Sequence, residues 1–225
     1  MAYPLTITRQ PRKTCALYIR DGGVEVRAPM RMPRREIDRF LSVKEDWIAR
    51  RLAESAVLAE QRAGFTLAYG DRIPYRGTLY PITAKPGRRT GFDGDSFWMP
   101  PAQSPEDIKA SCVRIYRLLA RRTLTEKALA FAEGMGVMPA GVKINGAKTR
   151  WGSCSARKSL NFSWRLMMAE EALIDYVVIH ELAHLREMNH SPRFWKLVAD
   201  VLPDYPARRE GLKALQKKLS AEDWD

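Results

Sequence analysis
The spacing of apolar residues changes repeatedly along this chain, and each change marks an element. Over residues 5–28 the runs are short. Cys15 to Arg20 and Val24 to Arg27 flank Asp21-Gly22-Gly23, a pattern that predicts a β-hairpin among short strands. From Arg34 to about Arg62 the period becomes helical, with Ile37, Phe40, Leu41, Trp47, Ile48, Leu52, Val57 and Leu58 on one side. Ser42-Val43-Lys44-Glu45 has capping-box spacing and predicts that the helix restarts there. Strands return at 65–69, 72–75, 79–84 and 97–99, broken by Gly and Pro, with the basic loop Lys85 to Gly91 between them. This half carries no catalytic constellation; it reads as scaffold, or as one wall of a substrate cleft.

Pro101-Ala102-Gln103-Ser104-Pro105 has the composition of a linker and divides the chain into an N-terminal α+β module, 1–103, and a second domain, 104–225. Ser104, Pro105, Glu106 and Asp107 provide cap, first-turn proline and first-turn acids for a helix running to about Glu133, closed by Gly134 and Gly136. Val142 to Ser153 and Leu160 to Leu166 read as two strands. In the second, Leu160, Phe162, Trp164 and Leu166 alternate with polar residues. Arg208 to Leu219 reads as a basic amphipathic helix covering the surface.

The chemistry concentrates between these last elements. His180-Glu181-Leu182-Ala183-His184 lies on a helix rich in Ile, Val and Leu, and all three histidines of the protein fall between 180 and 190. Residues four apart share a helix face, so His180 and His184 can offer two nitrogens to one ion. Glu181, turned about 100° from His180, can act on water without being a ligand. A helical histidine is more often merely packed or solvated. Two of them beside a glutamate on so apolar a helix are nevertheless costly to bury without a partner, and a divalent cation supplies one.

A catalytic zinc takes three protein ligands, and His190 is the best-placed third. The helix is expected to end near Met188, with Asn189 in a left-handed turn. Ser191-Pro192 then caps a second helix, 192–201, leaving His190 free to swing back. Phe194 and Trp195 read as its clamp, and Asp200 or Asp204 as an acid orienting an imidazole. The His184-to-His190 spacing equals that of metzincins, but Glu187 replaces their glycine and no methionine follows Met188. Two alternatives stay open. One is Cys154 as third ligand, as in a deformylase-like zinc amidohydrolase; the other is a carboxylate from Glu187, Asp204 or Glu210.

Arg150-Trp151-Gly152-Ser153-Cys154-Ser155, Leu160-Asn161-Phe162, Arg165-Leu166-Met167-Met168, Asp175 to Leu185, and His190 to Trp195 resemble the YgjP-like metallopeptidases, relatives of the SprT and WLM zinc peptidases. The resemblance is dense from about Ala147 to Trp195 and looser before it. It departs at Ala169-Glu170, where a proline is expected to open the active-site helix. It implies a zincin-like α+β metallopeptidase domain binding one Zn2+ through His180, His184 and His190. Peptide or protein would be the substrate, with Glu181 as general base for the zinc-activated water. It further implies that an edge strand beside the helix receives the substrate backbone. Trp151, Gly152 and Ser153 are candidates for that edge, and Arg150 and Tyr176 for polar contact with substrate or oxyanion.

Composition changes this picture little. The net charge of +12 is spread over both halves; a solvated basic surface is the plainer reading, against nucleic acid as a partner with the zinc holding structure. Three widely separated cysteines argue against a disulfide framework. With no apolar run long enough for a membrane and no secretory pattern at the start, a cytoplasmic protein is expected.

Overall fold
Two compact units, Met1–Phe65 with Ser220–Asp223 and Thr66–Leu219 with Trp224–Asp225, make up the computed structural model, which describes residues 3–20 and 22–224. The first holds β1 (Leu5–Gln10), β2 (Ala16–Arg20), β3 (Gly23–Pro29), α1 (Arg34–Val43) and α2 (Glu45–Ala63). The expected hairpin forms, Ala16 to Arg20 pairing antiparallel with Arg27 to Gly23, while β1 joins the other edge of β3 in parallel. Asp21 of the expected turn lies outside the described residues. Alternation in β3 puts Val24, Val26 and Ala28 on the face that meets Ile37, Leu41 and Ile48 of the helices, an all-apolar core. The helical stretch does break as expected, at Lys44 (φ −106°, ψ 10°). No side chain caps the restart, so the Ser42 capping box does not form.

The second unit begins with β4 (Arg72–Tyr75), β5 (Thr78–Ala84), β6 (Gly91–Phe92) and β7 (Phe97–Met99), in the sheet order β4-β5-β7-β6. The strand expected at 65–69 does not form: the segment is irregular and ends in a turn at Tyr69-Gly70, where the Asp71 carboxylate accepts from Ala68 N at 2.7 Å. α3 (Pro105–Met135) follows, capped by the Ser104 hydroxyl, which accepts from Asp107 N, and closed by Gly136 at φ +60°. The linker-like prolines do not separate units. Phe97 packs on Tyr116 of α3 at 5.1 Å between ring centroids, and the Tyr116 hydroxyl donates to Pro74 O at 2.5 Å, so strands before the expected 103/104 boundary share a core with the helix after it.

β8 (Gly141–Asn145), β9 (Gly152–Cys154) and β10 (Ser159–Ser163) form the third sheet, with β10 central and β9 at an edge. The continuous strand expected over 142–153 is interrupted where the Asn145 side chain accepts from Ala147 N. β10 stops at Ser163, and Trp164–Met168 winds into a fully buried 3-10 helix. Then come α4 (Glu171–Ala183), α5 (Pro192–Val201) and α6 (Tyr205–Leu219). α4 packs against α3, α5, α6 and β9, which accounts for its burial on nearly every side. Among the described residues the whole is mixed α+β, with six α-helices and three small sheets. Among the described residues no helix is long and apolar enough to cross a membrane.

Candidate metal centre
α4 ends earlier than its apolar pattern suggests. His184 is its C-cap, and Leu185, Arg186 and Glu187 donate back to Leu182 O and Ala183 O in a tight turn. Asn189 is not left-handed. The reversal is closed instead by His184 Nδ1 with Glu187 O at 3.1 Å and by Ser191 N donating to Asn189 O at 2.7 Å. Ser191 then caps α5, its hydroxyl accepting from Phe194 N. The turn carries His190 back over α4.

One side-chain nitrogen from each of His180, His184 and His190 lies within 4.8 Å of the others. His180 Nε2 and His190 Nε2 are 3.1 Å apart. The carbonyl of Glu187 can only accept, so the proton of His184 sits on Nδ1 and its Nε2 lone pair is free to ligate. Burial, followed by the charges of His184, His190 and Arg209, lowers the pKa of His180 to about 3; burial likewise lowers that of His184. Both are neutral at physiological pH, the form that binds a metal. Tetrahedral zinc spaces its nitrogen ligands about 3.3 Å apart, so this donor set fits a small divalent cation with little adjustment. Phe194 packs against all three imidazoles at 4.5–4.8 Å, and Trp195 stacks on His190 at 5.6 Å.

Glu181 points to the same place from a drier position. It is 5% exposed, its Oε2 has no hydrogen-bond partner, and burial raises its pKa to about 8, partly offset by the Arg150 cation. A bound dication acts in the opposite direction and favours the carboxylate.

The cleft over these groups, about 290 Å³, is lined by Arg150, Gly152, Ser153, Cys154 and Met188 together with His180, Glu181, His184 and His190. Of the residues proposed for substrate, Arg150, Gly152 and Ser153 thus reach the cleft. Trp151 is not in its lining and contributes its carbonyl to Ser163 N at 2.8 Å. Tyr176 lies behind His180, its hydroxyl 3.5 Å from Nδ1, on the side of the ring away from His190. Cys154 lines the cleft without joining the nitrogen cluster. Glu187 meets His184 through its backbone, while Asp204 pairs with Arg208, Asp200 with Lys196 and Glu210 with Lys213. Neither expected aspartate orients an imidazole, because each is held by a basic residue four positions away: Asp200 by Lys196 on α5, and Asp204, in the turn before α6, by Arg208. Met188 also lines the cleft, and nothing in its sequence context marks it.

An apolar helix bearing two imidazoles and a buried acid, with a third imidazole folded over it, is the architecture of a metal-dependent hydrolase. The profile described as "YgjP-like, metallopeptidase domain" matches residues 13–215, and the chain belongs to that family. It is a metallopeptidase, a class that works with a metal ion on peptide or protein substrates. Among solved structures it is similar to the metallopeptidase zymogen of Pyrococcus abyssi abylysin, at 24% identity over 44% of this chain and 98% of that one, with a TM-score of 0.39. It is also similar to the metallopeptidase zymogen of Methanocaldococcus jannaschii jannalysin, at 20% identity over 42% and 95%, with a TM-score of 0.36. No curated protein matches the chain.

Proposed function
We propose that the protein hydrolyses peptide bonds with one zinc ion held by His180, His184 and His190 and with Glu181 as general base. One observation carries this reading: three imidazole nitrogens within 4.8 Å stand beside a buried carboxylate whose Oε2 lacks a partner. Zinc, when bound, supplies Lewis acidity that polarises the scissile carbonyl and makes water acidic enough to ionise near neutral pH. Glu181 would take a proton from the attacking water and return it to the leaving amine. Its dry surroundings suit the task, since burial makes the carboxylate more basic. Glu187 O fixes the tautomer of His184, and Tyr176 supports His180 from behind. The substrate backbone pairs with the free edge of β9 along Gly152 and Ser153, and Arg150 faces it from the cleft lining.

The Glu181→Gln variant tests the central role. It should keep the metal content of the parent by elemental analysis, yet lose roughly 10²–10⁴-fold in cleavage of a peptide library. Chelation should abolish cleavage by the parent, and added zinc should restore it. An active, metal-replete Gln variant would overturn the assignment.

A further inference from the structure
β9 approaches α4 where Gly152 faces Glu181. A Cβ built on Gly152 would stand 2.7 Å from both Cγ and Oε1 of Glu181 and 2.9 Å from its Cδ, closer than such atoms approach in proteins. No left-handed backbone calls for glycine at this position; the space does. Neither partner yields easily. Gly152 is registered opposite Phe162, which is fully buried, and the adjacent Trp151 carbonyl is tied to Ser163 N. Glu181 is walled in on a helix packed against four neighbouring elements. The strand is the better anchored of the two, so an added methyl displaces the carboxylate.

We propose that Gly152 is a positioning residue for the peptidase reaction: its lack of a side chain leaves the slot that fixes where the Glu181 carboxylate stands over the metal centre. The inference rests on the reading of Glu181 as general base. A bare strand backbone on one side of the acid lets the carboxylate lie close against β9 with Oε2 buried and unpartnered, in the residue that lines the cleft with the histidines. Displacing a reacting group by about 1 Å costs on the order of 10²-fold in rate. Gly152→Ala should therefore depress kcat by about that factor. Its metal content should be unchanged and its KM within a few-fold, because neither the histidines nor the outer edge of β9 is altered.

The test sets Gly152→Ala in two backgrounds of the full-length, zinc-loaded protein, reading kcat, KM and bound zinc. In the parent, kcat falls about 10²-fold with zinc retained. In Glu181→Ala, which lacks the Cγ and the carboxylate that the added methyl would meet, it changes nothing further. A parent kcat left intact, or an equal loss in both backgrounds, overturns the proposal. If Gly152→Ala alone fails to fold, folding of the double variant with Glu181→Ala identifies the clash with Glu181 as the cause and supports it; a double variant that also fails overturns it. Activity of Glu181→Ala at the parent level would instead bring down the general-base reading. An inactive Glu181→Ala beside a normal Gly152→Ala brings down this proposal alone.

Discussion
The surroundings of Arg165 and of Glu181 each bury one formal charge in the second unit, at 6% and 5% exposure, and they treat it in opposite ways. Arg165 lies in the 3-10 helix after β10, donates to Gly146 O at 2.6 Å and stacks on Trp164 at 4.6 Å. Its charge is used up within the fold. Glu181 has an oxygen with no protein partner, and the nearest compensating charge is the exposed guanidinium of Arg150. A buried charge met by the protein is architecture, whereas one left unmet is held for something the chain does not itself provide. The core of the first unit is Val, Ala, Ile and Leu, and Arg12, whose buried Nε lacks a hydrogen-bond partner among the described residues, is only partly buried as a residue.

The largest test of this contrast removes the group expected to complete the Glu181 region. His190→Ala takes one of three nitrogens and should weaken zinc binding by more than 100-fold, on the order of 3–5 kcal/mol, as read by competition with a chromogenic chelator. Cys154→Ala should leave affinity within a few-fold, since its sulfur is outside the nitrogen cluster. The reverse ranking would make the Cys154-ligand arrangement the better reading.

The next effect is one of stability and has a definite sign. Without metal, the Glu181 carboxyl stays protonated up to about pH 8 in the folded state, against an ordinary value of 4.5. Between those values the folded protein binds the extra proton, so its stability falls as pH rises through the window, by ~3 kcal/mol at pH 7. Glu181→Gln abolishes that loss. The metal-free variant should match the metal-free parent near pH 4.5 and exceed it by ~3 kcal/mol at pH 7 in urea denaturation. His180, whose pKa is lowered to about 3, destabilises the fold as pH falls from about 6.5, and does so equally in both proteins. Parallel stability profiles for the two would mean that Glu181 is solvated and the contrast with Arg165 is false. For Arg165→Met the sign reverses. Gly146 O loses a charged donor, and stability should drop by about 2 kcal/mol with little dependence on pH. A neutral or stabilised Arg165→Met would leave no difference between the two regions.

The sequence reveals the two regions unequally, for a physical reason. His180, Glu181 and His184 are legible because helix periodicity brings them together locally, and Ser191-Pro192 announces the start of α5 through the backbone donors it caps. The hairpin, the break at Lys44 and the strand at 97–99 are local in the same sense. Arg165 shows only as a polar step in an alternating run, since its partner Gly146 is 19 residues away and the 3-10 turn burying it is set by packing. The boundary expected at 103/104 fails likewise. Proline content describes the local chain, whereas the Phe97–Tyr116 contact that unites both sides is tertiary. Gly152 stands between these cases: its motif is visible, but the approach to Glu181 that requires glycine exists only once β9 meets α4.

The smallest effect concerns the one charge that reaches toward Glu181. Arg150 lines the cleft, is exposed, and has no ion-pair or hydrogen-bond partner among the described residues. Its cation lowers the Glu181 pKa against the larger effect of burial. Arg150→Ala should therefore move the acid limb of the kcat/KM–pH profile upward, since the base must lose its proton to work. An exposed guanidinium is well screened, so the loss should stay under about tenfold, ~1 kcal/mol, and shrink as salt is raised. If Arg150 also contacts substrate, KM rises at every pH, whereas an action through Glu181 alone is confined to the acid limb. Superimposable profiles at low salt would leave the Glu181 charge compensated by nothing in the chain, which makes its dependence on the metal stronger still.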